Sequence, residues 1–515
     1  HGEREWRELE RRWRVDRRLG KWVHVGAKIR SILAGSAALL LGACVSVPSA
    51  PPPPSLDMIE SRLAQDIATL ADDSFGGRFP GTYGEEKTRS WLIDRYTQIG
   101  LEPGAGDGDW TQDFTLVRRS ARPEASASRA TVTRGGRTLS FSEGVIGSHA
   151  GVDNPTFADV PMVGVDPDLE ELKANSLVNR ALVMPAADLF KRASQLEKAE
   201  PKIVVVTTAD QQTYDQISQF VARGRWRLES DTEAPATLLL SPENSTSLMQ
   251  LIGKNTENHA DGLGVIGYDT VLQGSITQDV SRLETANVIG RLPGQVEDAG
   301  ALIVLAHWDH LGDECRPADA PDRLCNGAVD NASGLAVMTE AVRLAASEGP
   351  MDRDLIVLAT SAEELGLLGA EAFVADPPVP LPTIVAGFNI DTVAIAPRGA
   401  PVVILGAGET PLDYGITEVA RTLGREVVPT ELQDQFIRRQ DGWVFLREGV
   451  STVMAGSTLA DEEVFQAFLK GPYHGPGDEV GPNLELGGAA EDTLLHAALI
   501  RYFGSTTTYP GLGGN

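Results

Sequence analysis

From residue 287 onward the chain repeats one phrase: a short apolar run, then an acidic or imidazole side chain near glycine, then a stretch with helical spacing. Ala301 to Ala306, Leu355 to Thr360, Ile384 to Ile390, Val402 to Leu405 and Ser451 to Ala455 read as buried strands. Between them Ala332 to Ala346 reads as a helix with Leu335, Met338, Val342 and Ala345 on one face, and Leu365 to Val374 and Glu491 to Phe503 as two more. Such alternation restricts the fold to an α/β class, a mostly parallel central sheet flanked by helices. Ligands of these sheets bind at the carboxyl ends of the strands. That is where His307, Asp309, Glu363, Glu364 and Asp391 fall, with Asp330 in a Gly-rich turn and His474 in a Gly/Pro loop. Bare His, Asp and Glu there are costly unless paired, ligated to metal or catalytic.

Upstream, residues 56–100 read as helix, turn, helix. Leu56, Ile59, Leu63, Ile67 and Leu70 keep helical spacing, Gly77 to Thr82 break it, and Glu85 to Ile99 resume it before Gly100. Between about 115 and 280 the character changes to short β-rich runs such as Ala130 to Thr133, Pro161 to Val165, Ile203 to Thr207 and Ala236 to Leu240. This segment reads as a mainly β domain inserted into the α/β one. The expected division is 1–43 upstream and signal segment, 44–55 Pro-rich tether, 56–115 first part of the main domain, 116–284 insertion, 285–508 second part with the site, and 509–515 tail. At 515 residues and 42% hydrophobic content, two or three domains with a sizeable core are affordable.

A formal net charge of −27 argues against nucleic acid and against a polybasic membrane patch, both of which need clustered Lys and Arg. Residues 1–24, rich in Arg and Glu, read as an upstream stretch outside the fold. Lys28-Ile29-Arg30, the apolar run Ile32 to Leu41 and Leu41-Gly42-Ala43-Cys44 form a secretory signal. The run is too short for a spanning helix. Its end resembles the lipobox of bacterial lipoproteins, which implies cleavage before Cys44, a lipid on its sulfur and membrane attachment. Val45 in place of Asp favours the outer membrane, and Pro48 and Pro51 to Pro54 make an extended tether. Cys315 and Cys325 are then an even pair in an oxidising compartment, read as a disulfide rather than a thiolate metal site.

A ligating His needs its second ring nitrogen held, commonly by a carboxylate, and Asp309 lies two residues after His307. Asp330 could bridge two cations. Glu363 and Glu364 cannot both point the same way, so one can ligate while the other reaches a metal-bound water. Imidazole and carboxylate together suit Zn²⁺, with Co²⁺ or Mn²⁺ as substitutes. Such ions lower the pKa of a bound water from 15.7 toward about 7. Singly, each residue has a bland explanation: a structural His, a solvated Glu pair, an N-cap Asp. Jointly, in order at successive strand ends, they point to a metal centre.

The motifs Ala306-His307-Trp308-Asp309-His310-Leu311-Gly312, Asn326 to Gly334, Ala362-Glu363-Glu364-Leu365-Gly366, Asn389-Ile390-Asp391 and Tyr473-His474-Gly475-Pro476 resemble the co-catalytic di-zinc aminopeptidases. These are zinc exopeptidases related to glutamate carboxypeptidase and the transferrin receptor. Gly77 to Thr82 and Asn287 to Gly294 extend the resemblance over nearly all of 56–505. It implies a zinc exopeptidase (phosphorylase/hydrolase-like) fold with an inserted protease-associated-like domain, two Zn²⁺ and a peptide substrate. By position it puts His307 and Asp391 on opposite metals, with Asp330 bridging and Glu364 and His474 completing the shells. Glu363 becomes general base, Asp309 orients His307, Tyr473 donates to the oxyanion, and Asp330–Asn331 is cis. His310 is read as structural. Arg439-Gln440-Asp441-Gly442 stands where the family often has Ser-Asp-His, which leaves the specificity pocket open.

The function implied is hydrolysis of N-terminal peptide bonds through a metal-bridging hydroxide. The alternatives are a single-zinc glutaminyl cyclase-like enzyme and a non-catalytic receptor or scaffold of the same fold. There is neither a Gly-x-Ser-x-Gly elbow nor a His-Glu-x-x-His helix. The residue removed and the oligomeric state are not legible.

Overall fold

The computed structural model describes residues 54–511, except 123–126, 166–170, 190, 232–234, 254–264 and 482–483. The expected signal segment, Cys44 and most of the expected proline tether lie outside the described residues.

A ten-stranded sheet organises the main part of the chain. Its strands are β1 (Glu102–Pro103), β2 (Thr111–Ala121), β3 (Trp226–Leu228), β4 (Gln278–Leu292), β5 (Ala301–His307), β6 (Asp354–Thr360), β7 (Ile384–Asn389), β8 (Val402–Leu405), β9 (Val427–Val428) and β10 (Thr452–Gly456). The spatial order is β9-β8-β10-β7-β5-β6-β4-β2-β3, with β1 on β4. The centre, β10-β7-β5-β6, is parallel. Its flanks are not: β4 runs antiparallel to β6 and β2, and β8 antiparallel to β10. The parallel character expected from strand and helix alternation therefore belongs to the strands that carry the site.

β5 is buried along its whole length, as a strand covered on both faces must be. Alternate side chains serve two cores. Leu302, Val304 and Ala306 join Leu335, Met338, Val342 and Ala345 of helix Gly334–Ser347 and residues of helices Leu56–Leu70 and Gly487–Gly504. On the other face Ile303 and Leu305 meet Ile356, Leu358, Phe373 and Phe445.

The chain leaves this sheet on β2, rejoins its edge briefly on β3 and returns on β4; β2 and β4 are paired from Thr111↔Val288 to Ala121↔Gln278. Between them an eight-stranded second sheet forms from strands lying between Arg129 and Ser275. The strands read from the sequence at 130–133, 161–165, 203–207 and 236–240 all belong to it. Helices Gln211–Arg223 and Pro242–Ile252 accompany it. Among the described residues no helix is long and apolar enough to cross a membrane.

Candidate metal centre

Because β6, β5 and β7 are parallel neighbours, their carboxyl ends bring His307, the Ser361–Glu364 turn and Asn389–Asp391 side by side. The turn Ala328–Ser333 and the loop holding His474 close over them. Asp330 lies between two groups of donors. Its Oδ1 is 3.2 Å from His307 Nε2, which is in turn 3.5 Å from Asp391 Oδ1. Its Oδ2 is 3.4 Å from His474 Nε2 and 4.0 Å from His310 Nδ1. Glu364 completes the second group, with Oε2 2.8 Å from His474 Nε2 and Oε1 2.6 Å from His310 Nδ1. Ligand atoms on one tetrahedral zinc, each about 2.0–2.1 Å from the ion, would lie about 3.3 Å apart. These separations are of that scale.

Two expectations change here. His307 and Asp391 share one pocket rather than serving opposite ions, because β5 and β7 are adjacent and end level with each other. His310, read as structural, belongs with Asp330 and Glu364, all within 4.8 Å of one another. Neither of its ring nitrogens has a hydrogen-bond partner, although the side chain is fully buried. Its ring is pinned by Gly327, where a Cβ would come within 2.6 Å of His310 Cγ.

Does this set of residues fit metal? His474 Nε2 and Glu364 Oε1 are also buried without a hydrogen bond, despite the short approaches above. Donor atoms therefore converge without hydrogen-bond geometry between them, which is costly unless a cation takes them. The electrostatics agree. Burial opposes charge on the His307 imidazole, yet Glu363, Asp309, Asp330 and Asp391 hold its pKa well above the usual value. Burial likewise opposes His474, which Asp330 and Glu364 push up to about 10. Asp330 is held well below the carboxylate range by His307 and His474, against its burial. The cluster demands positive charge, and the donor set suits zinc.

Glu363 stands apart from these contacts. Burial, with Asp441, Glu364 and Asp391 nearby, pushes its carboxyl well above the usual range despite His307. Its backbone is fixed from below: Asp309 Oδ1 accepts the Glu363 N–H at 3.0 Å and Oδ2 the Glu364 N–H at 3.3 Å. The Asp309 carboxylate is thus occupied with the Glu–Glu turn, and its Oδ1 is 3.7 Å from His307 Nδ1. The nearer partner of that nitrogen is the Asp309 carbonyl, at 3.1 Å. Orientation of His307 comes from the same residue, chiefly through its main chain. Tyr473 stacks on His474 with ring centroids 3.7 Å apart, and burial with the nearby carboxylates pushes its phenol pKa upward.

Several supports lie outside the motif residues first singled out. Asp478 Oδ1 accepts the Val329 N–H at 2.8 Å and Oδ2 the Asp330 N–H at 3.0 Å. Asn331, joined to Asp330 by a cis peptide, donates to the Ile390 carbonyl and accepts from Gly334 and Thr392 N–H, tying the bridging turn to the Asp391 strand end. Arg78, fully buried, donates to the carbonyls of Leu70, Trp308, Asn326 and Gly327. Gln440 accepts from Asn389, and Asp441 accepts from Thr360. The segment that departs from Ser-Asp-His therefore braces two strand ends and is itself buried. Three residues in or beside the ligand loops, Ala362, Thr392 and His474, hold φ near +55°, a strained backbone typical of functional sites. Cys315 and Cys325 are disulfide-bonded in the stretch between His307 and Asp330. A cavity of about 880 Å³ opens at the opposite end of the sheet, where β5, β6 and β7 begin.

Comparison with known proteins agrees with this geometry. Residues 287–498 match the model of Peptidase family M28. Aminopeptidase YwaD of Bacillus subtilis (strain 168) is 26% identical over 186 residues, 34% of this chain and 36% of that protein. The chain thus aligns with about a third of the curated relative's length. Among solved structures, an aminopeptidase from Aneurinibacillus sp. strain AM-1 superposes with a TM-score of 0.44 at 14% identity, covering 87% of this chain and 95% of that one. The zinc aminopeptidase BSAP from Bacillus subtilis gives 0.44 at 17% identity, with the same coverage. The segment similar to peptidase family M28, residues 287–498, supplies all the metal-donor atoms described above.

Proposed function

We propose that the protein is a zinc-dependent aminopeptidase with two ions, the first held by His307, Asp330 and Asp391 and the second by Asp330, Glu364 and His474, with His310 as a further donor beside it. The single observation that carries the reading is the division of the two Asp330 carboxylate oxygens between these groups. Zinc, when bound, polarises the scissile carbonyl and supplies a water that is nucleophilic at neutral pH. Glu363 would act as the general base and acid, taking a proton from the attacking water as the new C–O bond forms and passing it to the amine as the C–N bond breaks. Tyr473 donates to the tetrahedral oxyanion, a role worth about 3–4 kcal/mol for comparable donors. Asp309 fixes both His307 and the Glu363 turn.

The deciding experiment is metal analysis of the purified protein together with hydrolysis of aminoacyl-nitroanilides, before and after a chelator. Two zinc ions per chain and chelator-sensitive, zinc-restored release support the proposal. One tight ion per chain, or undiminished hydrolysis after demetallation, would sink it.

We further propose export to the bacterial envelope, with lipid on Cys44 and the 116–284 segment as a protease-associated-like domain. The support is Leu41-Gly42-Ala43-Cys44 together with a disulfide suited to an oxidising compartment. Incorporation of labelled fatty acid that persists in Cys44→Ser would overturn the anchor.

A further inference from the structure

The wall next to the candidate metal centre is basic. A cavity of about 650 Å³ lies against Glu364, Leu365 and Gly366, and Arg118, Arg223, Arg225 and Trp226 line its other sides. Arg118 comes from β2 and lies 4.8 Å over the ring of Trp226 on β3. Arg223 ends helix Gln211–Arg223, and Arg225 follows the turn at Gly224. That turn is pressed onto β2: a Cβ on Gly224 would meet the Arg119 carbonyl at 2.6 Å, and φ there is +65°. Three guanidinium groups are thereby gathered round one opening.

Their neighbours are already paired, Arg119 with Asp153 and Arg227 with Asp231. Among the described residues, no carboxylate pairs with Arg118, Arg223 or Arg225. In a chain with 72 acidic and 45 basic residues, three such arginines round one cavity are not a solubilising surface. Guanidinium forks match carboxylates in shape and charge, and the indole of Trp226 gives the carbon chain of a bound acid an apolar wall.

We propose that Arg118, Arg223 and Arg225 form an anion subsite beside the hydrolytic centre, and that the favoured substrates are peptides carrying a carboxylate close to the scissile bond. The carboxylate is either an acidic side chain or the free C-terminus of a short peptide. The inference rests on the hydrolase reading above, because Glu364, one of the residues lining the cavity, is a ligand candidate of that centre.

The test compares kcat/KM of the zinc-loaded full chain for three matched pairs: Glu-Ala-amide against Gln-Ala-amide, Ala-Glu-amide against Ala-Gln-amide, and Ala-Ala against Ala-Ala-amide. A preference of about tenfold or more for the anionic member is expected in at least one pair, the scale of a charge-assisted hydrogen bond. The pair that shows it distinguishes side chain from C-terminus. In Arg223→Gln/Arg225→Gln, two exposed positions, the ratio within that pair falls toward one. Equal rates within all three pairs, or a preference kept in the double variant, would overturn the subsite. Calorimetric binding of the same peptides to the zinc-loaded Glu363→Gln chain separates the two readings. Arginine-dependent binding of the anionic member without turnover by the unmutated enzyme would leave the subsite standing and remove the aminopeptidase. No difference in binding would remove the subsite alone.

Discussion

Asp478 holds Asp330 in place: its Oδ2 accepts the Asp330 main-chain N–H at 3.0 Å, while its Oδ1 takes the N–H of Val329. The bridging carboxylate is thus aimed from behind by a second carboxylate, from the loop that also carries His474. Asp478→Asn keeps the size but presents an NH₂ group to one of the two amides. Zinc affinity should fall by about 10- to 100-fold, the usual consequence of losing an outer-sphere partner. Competition titration against a zinc-binding dye checks it. Unchanged affinity would show that the turn holds its shape alone.

Glu363 touches none of the ligand groups directly, so removing its charge should spare them. Glu363→Gln is expected to lower kcat by about 10²–10⁴-fold, the range for general acid–base catalysis, with two zinc ions retained. Metal analysis beside steady-state kinetics decides. Lost zinc with residual turnover would reassign Glu363 as a ligand.

The pH dependence follows from the imidazoles. Glu363, Asp309, Asp330 and Asp391 hold His307 protonated in the ion-free protein, and Asp330 and Glu364 hold His474 up to about 10. At neutral pH both carry a proton, and each must lose it to ligate. Zinc binding should therefore release protons, and affinity for each ion should rise as pH is raised toward 10, by up to about tenfold per unit for the one imidazole proton it displaces. Calorimetry in buffers of different ionisation enthalpy measures the release directly. A value near zero at pH 7 would mean that the ligands are already neutral.

Arg78 donates to four main-chain carbonyls from three separate segments of the chain. Lysine keeps the charge but not the planar fork, so Arg78→Lys leaves buried carbonyls unpaired. At about 1–3 kcal/mol for each unsatisfied buried group, urea unfolding should show a loss of several kcal/mol. A change below 1 kcal/mol would mean that water takes over these bonds.

What could be read in the sequence was whatever is written locally. Ala301–His307 and its parallel neighbours are continuous apolar runs, and their ends carry donors beside glycine, so the strands and the donors are legible together. His310 was hidden by its setting, since a motif that already contains His307 and Asp309 needs no third group to make sense. Asp478 supports Asp330 from 148 residues away, and no spacing rule connects the two. The pairing of His307 with Asp391 depended on strand order, which sequence order does not reveal: β5 is flanked by β7 on one side and by β6 on the other.

Helix Gln211–Arg223 was missed for a different reason. Ile217 is its one buried residue, so its apolar stripe is thin. Its capping signals were nonetheless present, with Asp210 bonded to the Thr213 N–H and Gly224 at the far end. Ser241 followed by Pro242 announces helix Pro242–Ile252 in the same way.

The donors of the two pockets leave from separate loops, and only a completed sheet sets those loops side by side. An unfolded chain offers scattered histidines and acids, none of them poised to chelate. If zinc fills the two pockets as proposed, it acts as a thermodynamic ballast: once above the dissociation constant, each tenfold rise in its concentration deepens the native well by about 1.4 kcal/mol for each ion bound. In zinc-starved surroundings the protein would forfeit not only turnover but also its resistance to degradation, and its abundance would become a gauge of how much of the metal is at hand.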